Sequence, residues 1–331
     1  MSEIQARFLN VNEYGCWDKF VSELSTVSIF DETDWLATIS EIMGCSLKIL
    51  GVFSGDSIIG GVTLTASKKF GMAIAGRIPL CPTNSCVLSP SLSKFSDRTT
   101  RHTLEITDAI AQVLQSNFDF VVVTNNHHLN DIRAFSWQDW RTSVQYTYCI
   151  DLPSIDISKV PPNRRNKMRN AEKAGIIVKE MDNPETAHEL LEKTYKRKGL
   201  SPPVTQEQLS QIYTRHRENI TLLFAMVGNS GKAVAVHITL KDAKRKAGYY
   251  LLGGFDPEYI STNAPSLLQW REIEYLREKG FKVLDLVGAE DKSIATFKSE
   301  FGGELVPYFQ VSHVSHRYRI INWLSWLNPF R

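Results

Sequence analysis

The apolar positions of this chain fall into short runs of two kinds. In "LGVFSGDSIIGGVTLT" (50–65) two β-rich runs flank Gly55-Asp56, and in "LLFAMVGNSGKAVAVHITL" (222–240) two more flank residues 228–231. Turn residues that accept positive φ between such runs predict β-hairpins. Elsewhere the apolar residues recur at helical spacing. Residues 100–116 carry Leu104, Ile106, Ala109, Ile110, Val113 and Leu114, and residues 265–279 carry Leu267, Leu268, Ile273 and Leu276. Pro265 suits the first turn of the second helix and Gly280 its end. Segments 162–174 and 185–198 predict two further helices, set off by the breaks Pro161-Pro162 and Pro202-Pro203.

This pattern occurs twice. Residues 120–150 and 282–312 each read as an apolar strand, a polar turn, a short helix bearing an aromatic residue, and an alternating strand. Aligned without a gap, Phe135 falls on Phe297 and Tyr146 on Tyr308. The two hairpins precede these segments in the same order. Together they predict two copies of one α/β unit, residues 1–150 and 151–331, with the boundary near Asp151. Each copy is a mixed sheet with helices on its faces.

Composition narrows the function classes. A net charge of +2 over 331 residues argues against a whole-chain field for nucleic acid. No apolar run approaches the roughly 20 residues that span a bilayer. The opening "MSEIQARFLN" lacks the apolar core of a secretion signal, so a cytoplasmic location is expected. The five cysteines fit no usual zinc spacing, and neither His127-His128 nor His313 with His316 is completed by a cysteine or carboxylate cluster. No metal site is expected, and the cysteines read as free thiols.

Three stretches hold candidate chemistry. In "RRNKMRNAEKAGI" (164–176), Arg165, Arg169 and Lys173 share one helix face, which Arg164 and Lys167 widen. Arginine forks suit phosphate oxygens, though a solvated helix face has the same pattern. In "KAGYYLLGGFDPEY" (246–259), Tyr249 and Tyr250 point to opposite faces of a strand. Gly253-Gly254 marks a close backbone approach there, suited to a substrate amide or to a plain strand end. In "KVLDLVGAEDKSIATFKSEFGG" (282–303), Asp285 interrupts an apolar strand, Glu290 follows in the loop, and Lys298 lies two helical turns on. The first copy has Val123 and Ser136 at the places of Asp285 and Lys298. A cationic group of this kind fits an acyl-transfer site, where it stabilises a developing oxyanion; a solvated surface lysine is the plain alternative.

Taken together, "RRNKMRNAEKAGIIV", "YYLLGGFDPEY", "LLQWREIEYLREKGFKVLDLVG" and "FKSEFGGELVPY", with "WDKFVSELSTVSIFDETDWL" and "WRTSVQYTYCIDL" in the first half, resemble the FemAB-like family of acyl- and aminoacyltransferases and the related BioF2-like domains. The resemblance covers nearly the whole chain. It implies two tandem GNAT-like domains and transfer of an acyl or aminoacyl group to an amine. It assigns Lys298 to transition-state stabilisation with Phe297 beside it; the nearby carboxylates Asp285 and Glu290 are, on their chemistry, the candidates to relay the amine proton. It implies that Arg164, Arg165 and Arg169 hold phosphates and that Tyr249 and Tyr250 line the cleft. The glycine loop with which a GNAT domain holds coenzyme A is replaced by "YISTNAPSLLQW" (259–270), leaving backbone donors at Thr262, Asn263 and Ala264 as the cofactor contact.

The expected function is therefore N-acylation, from acyl-CoA, of an amine on a nucleotide-linked or lipid-linked precursor of the cell envelope or a polysaccharide. Two alternatives stand beside it: an aminoacyl-tRNA-dependent enzyme adding a peptide branch to a muropeptide, and a non-catalytic duplicated scaffold. The tail "RYRIINWLSWLNPFR" (317–331) forms an apolar helical face ringed by arginines, which suits either packing on its own domain or contact with the inner membrane surface.

Overall fold

The computed structural model describes residues 4–91 and 93–320. In the first half, β1 (Ile4–Phe8), α1 (Tyr14–Ser22) and α2 (Thr33–Ile42) precede β2 (Ser46–Ser54), β3 (Ser57–Lys69), β4 (Met72–Gly76) and β5 (Cys86–Leu88). Then come α3 (Ser96–Asn117), β6 (Phe120–Thr124), α4 (Arg133–Trp137) and β7 (Arg141–Asp151). The second half runs α5 (Pro162–Lys173), β8 (Ile176–Glu180), α6 (Pro184–Arg197), α7 (Gln206–Arg215), β9 (Ile220–Val227), β10 (Lys232–Asp242) and β11 (Ala247–Phe255). It continues with α8 (Ala264–Glu278), β12 (Val283–Asp285), α9 (Lys292–Ser299) and β13 (Glu304–Val314). Both hairpins and the four helices read from periodicity are present.

The chain forms two compact units. One comprises residues 1–145 with 307–331, the other residues 146–306. In the first, β1 to β4 form an antiparallel meander, β4 pairs parallel with β6, and β6 pairs antiparallel with residues 310–314 of β13. In the second, β8 to β11 repeat the meander, β11 pairs parallel with β12, and β12 pairs antiparallel with residues 149–151 of β7. The duplicated pattern is therefore a duplicated sheet.

The last strand of each sheet is exchanged between the copies. β7 follows the first copy in sequence yet completes the second sheet, and β13 does the converse. The structure thus draws the second unit differently from the expected 151–331. Its boundary falls at 145/146, and the chain leaves it again at Pro307. Pairing and burial give the reason. The backbone groups on the open side of β6 need a partner, and Gln310 to Val314 supply one. Val311 is fully buried among Val121, Val123 and Phe135 of the first unit.

Each unit has its own core. Ile106, Ile110, Ala111 and Leu114 on one face of α3 pack on Leu50, Val52, Val62, Leu64 and Val121 of the first sheet. Leu267, Leu268, Ile273 and Leu276 of α8 do the same with Leu223, Ala225, Val234 and Leu284 of the second. At Gly254 of β11, a Cβ would stand 2.5 Å from the carbonyl carbon of Leu190 in α6, and at Gly253 it would meet the ring of Tyr250. The close approach read from this glycine pair is present, but α6 and Tyr250 occupy it rather than leaving it for a substrate amide. Because backbone at Leu190 cannot swing aside, Gly254→Ala is expected to cost about 1–3 kcal/mol, visible as a lower urea midpoint with an unchanged m-value.

Candidate active site

The site grows from the end of β12. β11 and β12 pair in parallel only through Val283, Leu284 and Asp285, the last opposite Tyr249. Past Asp285 the chain turns sharply. Val287 has φ 51° and Gly288 φ 74°, two consecutive left-handed residues. A β-branched residue there is a strained outlier, of the kind that persists only where its surroundings over-determine it. Here the Asp285 carboxylate accepts the Val287 N–H at 2.8 Å and also the Thr147 hydroxyl. The turn aims two successive carbonyls, of Val287 and Gly288, at one point.

Lys298 fills that point. Its Nζ donates to the Val287 and Gly288 carbonyl oxygens, each at 2.7 Å, and lies 5.5 Å from the centre of the Tyr250 ring. The residue is 5% exposed, so it is not a solvated surface lysine. Burial drives its pKa down to about 8, against the opposing pull of Asp285, Glu290 and Glu272. Burial likewise raises the pKa of Asp285, although Thr147, the Val287 N–H and Lys298 all favour its charged form. α9 carries the lysine and is N-capped by Asp291, which accepts from the Ser293 and Ile294 N–H groups at 2.9 and 3.0 Å. Glu290 stands exposed in the intervening loop.

The structure corrects two other assignments. Arg164 is buried and committed to the protein. Its guanidinium donates to Glu300 at the end of α9 and, at 2.6 Å, to Ser266 of α8. It also lies over the rings of Phe297 and Phe301, at 4.7 and 5.5 Å. A guanidinium enclosed in this way is a joint between α5, α8 and α9, not a phosphate clamp. Phe297 is half-buried and packs with it against Phe301. Arg165 and Arg169 lie apart from Lys298. They line a cleft of about 190 Å³ beside Met168, Trp270 and Arg271, where Glu172 and Glu274 answer Arg271. The Arg165 Nε is buried there without a hydrogen-bond partner.

The start of α8 also departs from expectation. A short 3-10 helix, Pro257–Thr262, leads into Asn263, which is left-handed at φ 57°. The Thr262 hydroxyl accepts the Ala264 N–H at 3.3 Å, Pro265 has no N–H, and the Ser266 N–H goes to the Asn263 carbonyl at 3.0 Å. The Asn263 N–H goes to Ile260. The N–H groups of Asn263 and Ala264 are therefore spent within this turn, where a pyrophosphate cradle needs them turned outward.

Behind Tyr250 lies a polar group that the sequence reading missed. Glu272 of α8 is wholly buried and accepts from His237 Nδ1 at 2.8 Å, from Gln269 Nε2 at 2.7 Å and from the Thr239 hydroxyl. The His237 ring meets Tyr250 edge to face at 4.7 Å. Burial, then the charge of Glu272, raises the Tyr250 pKa. The available signal was His237 interrupting the apolar run "AVAVHITL" of β10. As arranged, the site offers a desolvated cation with two fixed acceptors and a neighbouring carboxylate, which is chemistry for stabilising negative charge on an acyl oxygen.

Among the described residues no cluster of three His, Cys, Asp or Glu side chains is placed to hold a metal, and no helix is long and apolar enough to cross a membrane. Residues 321–331 of the amphipathic tail lie outside the described residues.

Residues 159–299 match the family model for an acetyltransferase (GNAT) domain. No curated protein matches the sequence. Several solved structures share the fold over almost the full length. FemX is 14% identical with a TM-score of 0.64, covering 96% of this chain and 99% of that one. The C-terminal domain of a putative lysylphosphatidylglycerol synthetase from Agrobacterium fabrum is 10% identical with a TM-score of 0.60, covering 97% and 98%. A tandem GNAT protein from the clavulanic acid biosynthesis pathway is 12% identical with a TM-score of 0.56, covering 94% and 98%. With a GNAT acetyltransferase domain at residues 159–299, the chain is an acyltransferase, and it shares its fold over almost the full length with FemX and a tandem GNAT protein.

Proposed function

We propose that this protein transfers an aminoacyl group from aminoacyl-tRNA to an amine of a cell-envelope precursor, a muropeptide or an amino sugar on a nucleotide or lipid carrier. The observation that carries the transfer reading is Lys298, a buried ammonium held on two loop carbonyls where β11 and β12 part. An ammonium has three N–H donors; two are spent on the loop, and the third serves the acyl oxygen. The acceptor amine attacks the ester carbonyl, and the C=O electrons move to oxygen, where Lys298 stabilises the oxyanion. Asp285, whose desolvated carboxyl is easier to protonate than an ordinary aspartate, takes the amine proton. Collapse of the intermediate expels the carrier's ribose oxygen, which recovers that proton. Glu290 sits farther out and tunes Lys298 by its charge. Tyr250, beside Lys298, flanks the reacting carbonyl, Tyr249 lies on the other face of the strand, and Arg165 with Arg169 meets the phosphate-bearing part of the carrier.

The inward-turned donors of α8 favour aminoacyl-tRNA over acyl-CoA. One of the similar folds supports aminoacyl chemistry by name, the putative lysylphosphatidylglycerol synthetase domain. Acyl-CoA is the second reading, favoured by the acetyltransferase match at 159–299.

Calorimetry with acetyl-CoA separates the two donors. No binding at millimolar concentration is expected, whereas micromolar binding would overturn the tRNA reading. Transfer from a radiolabelled aminoacyl-tRNA pool to muropeptide or amino-sugar nucleotide acceptors should be detectable with the wild-type protein. Lys298→Ala should lower kcat by about 10²–10³ with KM little changed, the pattern of an interaction made in the transition state. Because the cationic form is the working one, kcat should fall about tenfold per pH unit above about 8. Stability moves the other way. Between about 8 and the unfolded lysine value near 10.4, the unfolded chain holds a proton that the folded protein has released. Wild-type stability relative to Lys298→Met should therefore rise across that window, as measured by urea unfolding.

A further inference from the structure

The β3–β4 hairpin ends in Lys68-Lys69-Phe70-Gly71, and its tip breaks two rules of a stable turn. Phe70 is left-handed at φ 52°, a conformation that suits Asn or Gly and strains a bulky side chain. The residue is also 74% exposed to water. Among the described residues the Lys69 ammonium lies 5.8 Å from the ring centre, a weak contact that repays neither feature.

The surroundings suggest what repays it. The end of the described chain is fastened beside this hairpin. Asp119 accepts the Ala73 N–H at 2.9 Å and the Ser315 hydroxyl at 3.0 Å, and its carbonyl accepts the Ser315 N–H at 2.8 Å. Arg317 donates to the Gly71 carbonyl at 3.3 Å, and Tyr318 stacks on Phe120 with ring centres 5.0 Å apart. Arg317 and Arg319 are exposed, and Ile320 is 59% exposed. The root of the hairpin borders a cleft of about 490 Å³ with Phe8, Ala66, Ala73 and Phe118 on its apolar side and Lys48 and Lys68 among its polar residues. Cations therefore surround exposed apolar groups, and the acid that links them, Asp119, is occupied by hydrogen bonds.

We propose that the β3–β4 hairpin tip, with residues 315–320, is a docking surface for an anionic phospholipid membrane. Phe70 and Ile320 enter the interface, where an aromatic or aliphatic side chain gains by leaving water. Lys48, Lys68, Lys69, Arg317 and Arg319 face the anionic headgroups, an attraction confined to a Debye length of the surface. Nucleic acid would use the same cations, but the protruding apolar residues and the apolar cleft fit acyl chains better than phosphates.

Vesicle flotation tests this with the full-length protein and needs neither donor nor acceptor, so its outcome is independent of the transfer reading. The protein should float with phosphatidylcholine vesicles containing 30 mole per cent phosphatidylglycerol and not with phosphatidylcholine alone. Binding should weaken as salt is raised. Phe70→Ser should reduce affinity at least tenfold without changing the melting temperature, and the double change Lys68→Glu, Lys69→Glu should abolish flotation. Absence of flotation by the wild-type protein, or equal flotation by Phe70→Ser, would overturn the proposal. So would a loss of tRNA binding in Phe70→Ser with vesicle binding intact, which would assign the patch to RNA.

Discussion

A lysine ammonium taken out of water must be given oxygens or it loses its proton, and the turn between β12 and α9 meets that demand at Lys298. The oxygens are main-chain carbonyls of Val287 and Gly288. Aiming both at one point requires two successive left-handed residues, one of them valine. Holding valine there requires a partner for its N–H, which Asp285 provides. The lysine arrives on α9, whose far end is tied through Glu300 to the buried Arg164. The ring beneath it, Tyr250, lies over Gly253, where any side chain would collide with its hydroxyl. Each element is locally unfavourable or unremarkable, and together they keep a cation in a place where its pKa falls to about 8. Two carbonyls only partly replace the water an ammonium gives up, so this arrangement lowers stability for a charge that the fold does not need.

The first unit shows the same fold without that demand. At the matching place, β6 carries the buried Val123 where β12 carries Asp285, and α4 places the buried Phe135 in the core next to Ser136. The gap beyond its parallel pair is bridged by amide side chains: Asn84 accepts the Thr124 N–H at 2.8 Å and Asn125 accepts the Cys86 N–H at 2.9 Å. These bonds complete a sheet and present no charge. The exchanged strands explain how two such copies persist in one chain. Each copy's last strand is spent on the other's sheet, so neither sheet is complete with its own copy's residues alone.

Sequence periodicity revealed the repeats because it reports local geometry. Hairpin turns at Gly55-Asp56 and at 228–231, and the faces of α3 and α8, need only neighbouring residues to be recognised. The lysine stood out for a related reason, since its duplicate position holds serine. Partners distant in sequence were not legible. Arg164 looks like its neighbours Arg165 and Arg169 in the stripe, and only the approach of Ser266 and Glu300 separates a buried joint from a surface charge. Phe297, half-buried, likewise packs on that joint, where it meets a cation. The group of His237, Thr239, Gln269 and Glu272 joins β10 to α8, with its members scattered over residues that otherwise read as strand and helix. Strand exchange was hidden in the same way, because β13 alternates equally well for either sheet.

The two readings of the donor meet at one short segment. For the start of α8 to hold a pyrophosphate, its first N–H groups must point outward and its backbone must admit the close approach that glycine allows. Here Thr262 and Asn263 turn those groups back, and Pro265 removes one altogether. The hydroxyl of Ser266, the next residue of the helix, accepts from Arg164 and so joins the tie that docks α9. The helix start has thus become part of the framework that positions Lys298. Restoring a glycine cradle would require undoing contacts on which that position rests. On the proposed reading, a donor whose carrier is gripped elsewhere, such as a nucleic acid held over a broader surface, leaves those contacts in place.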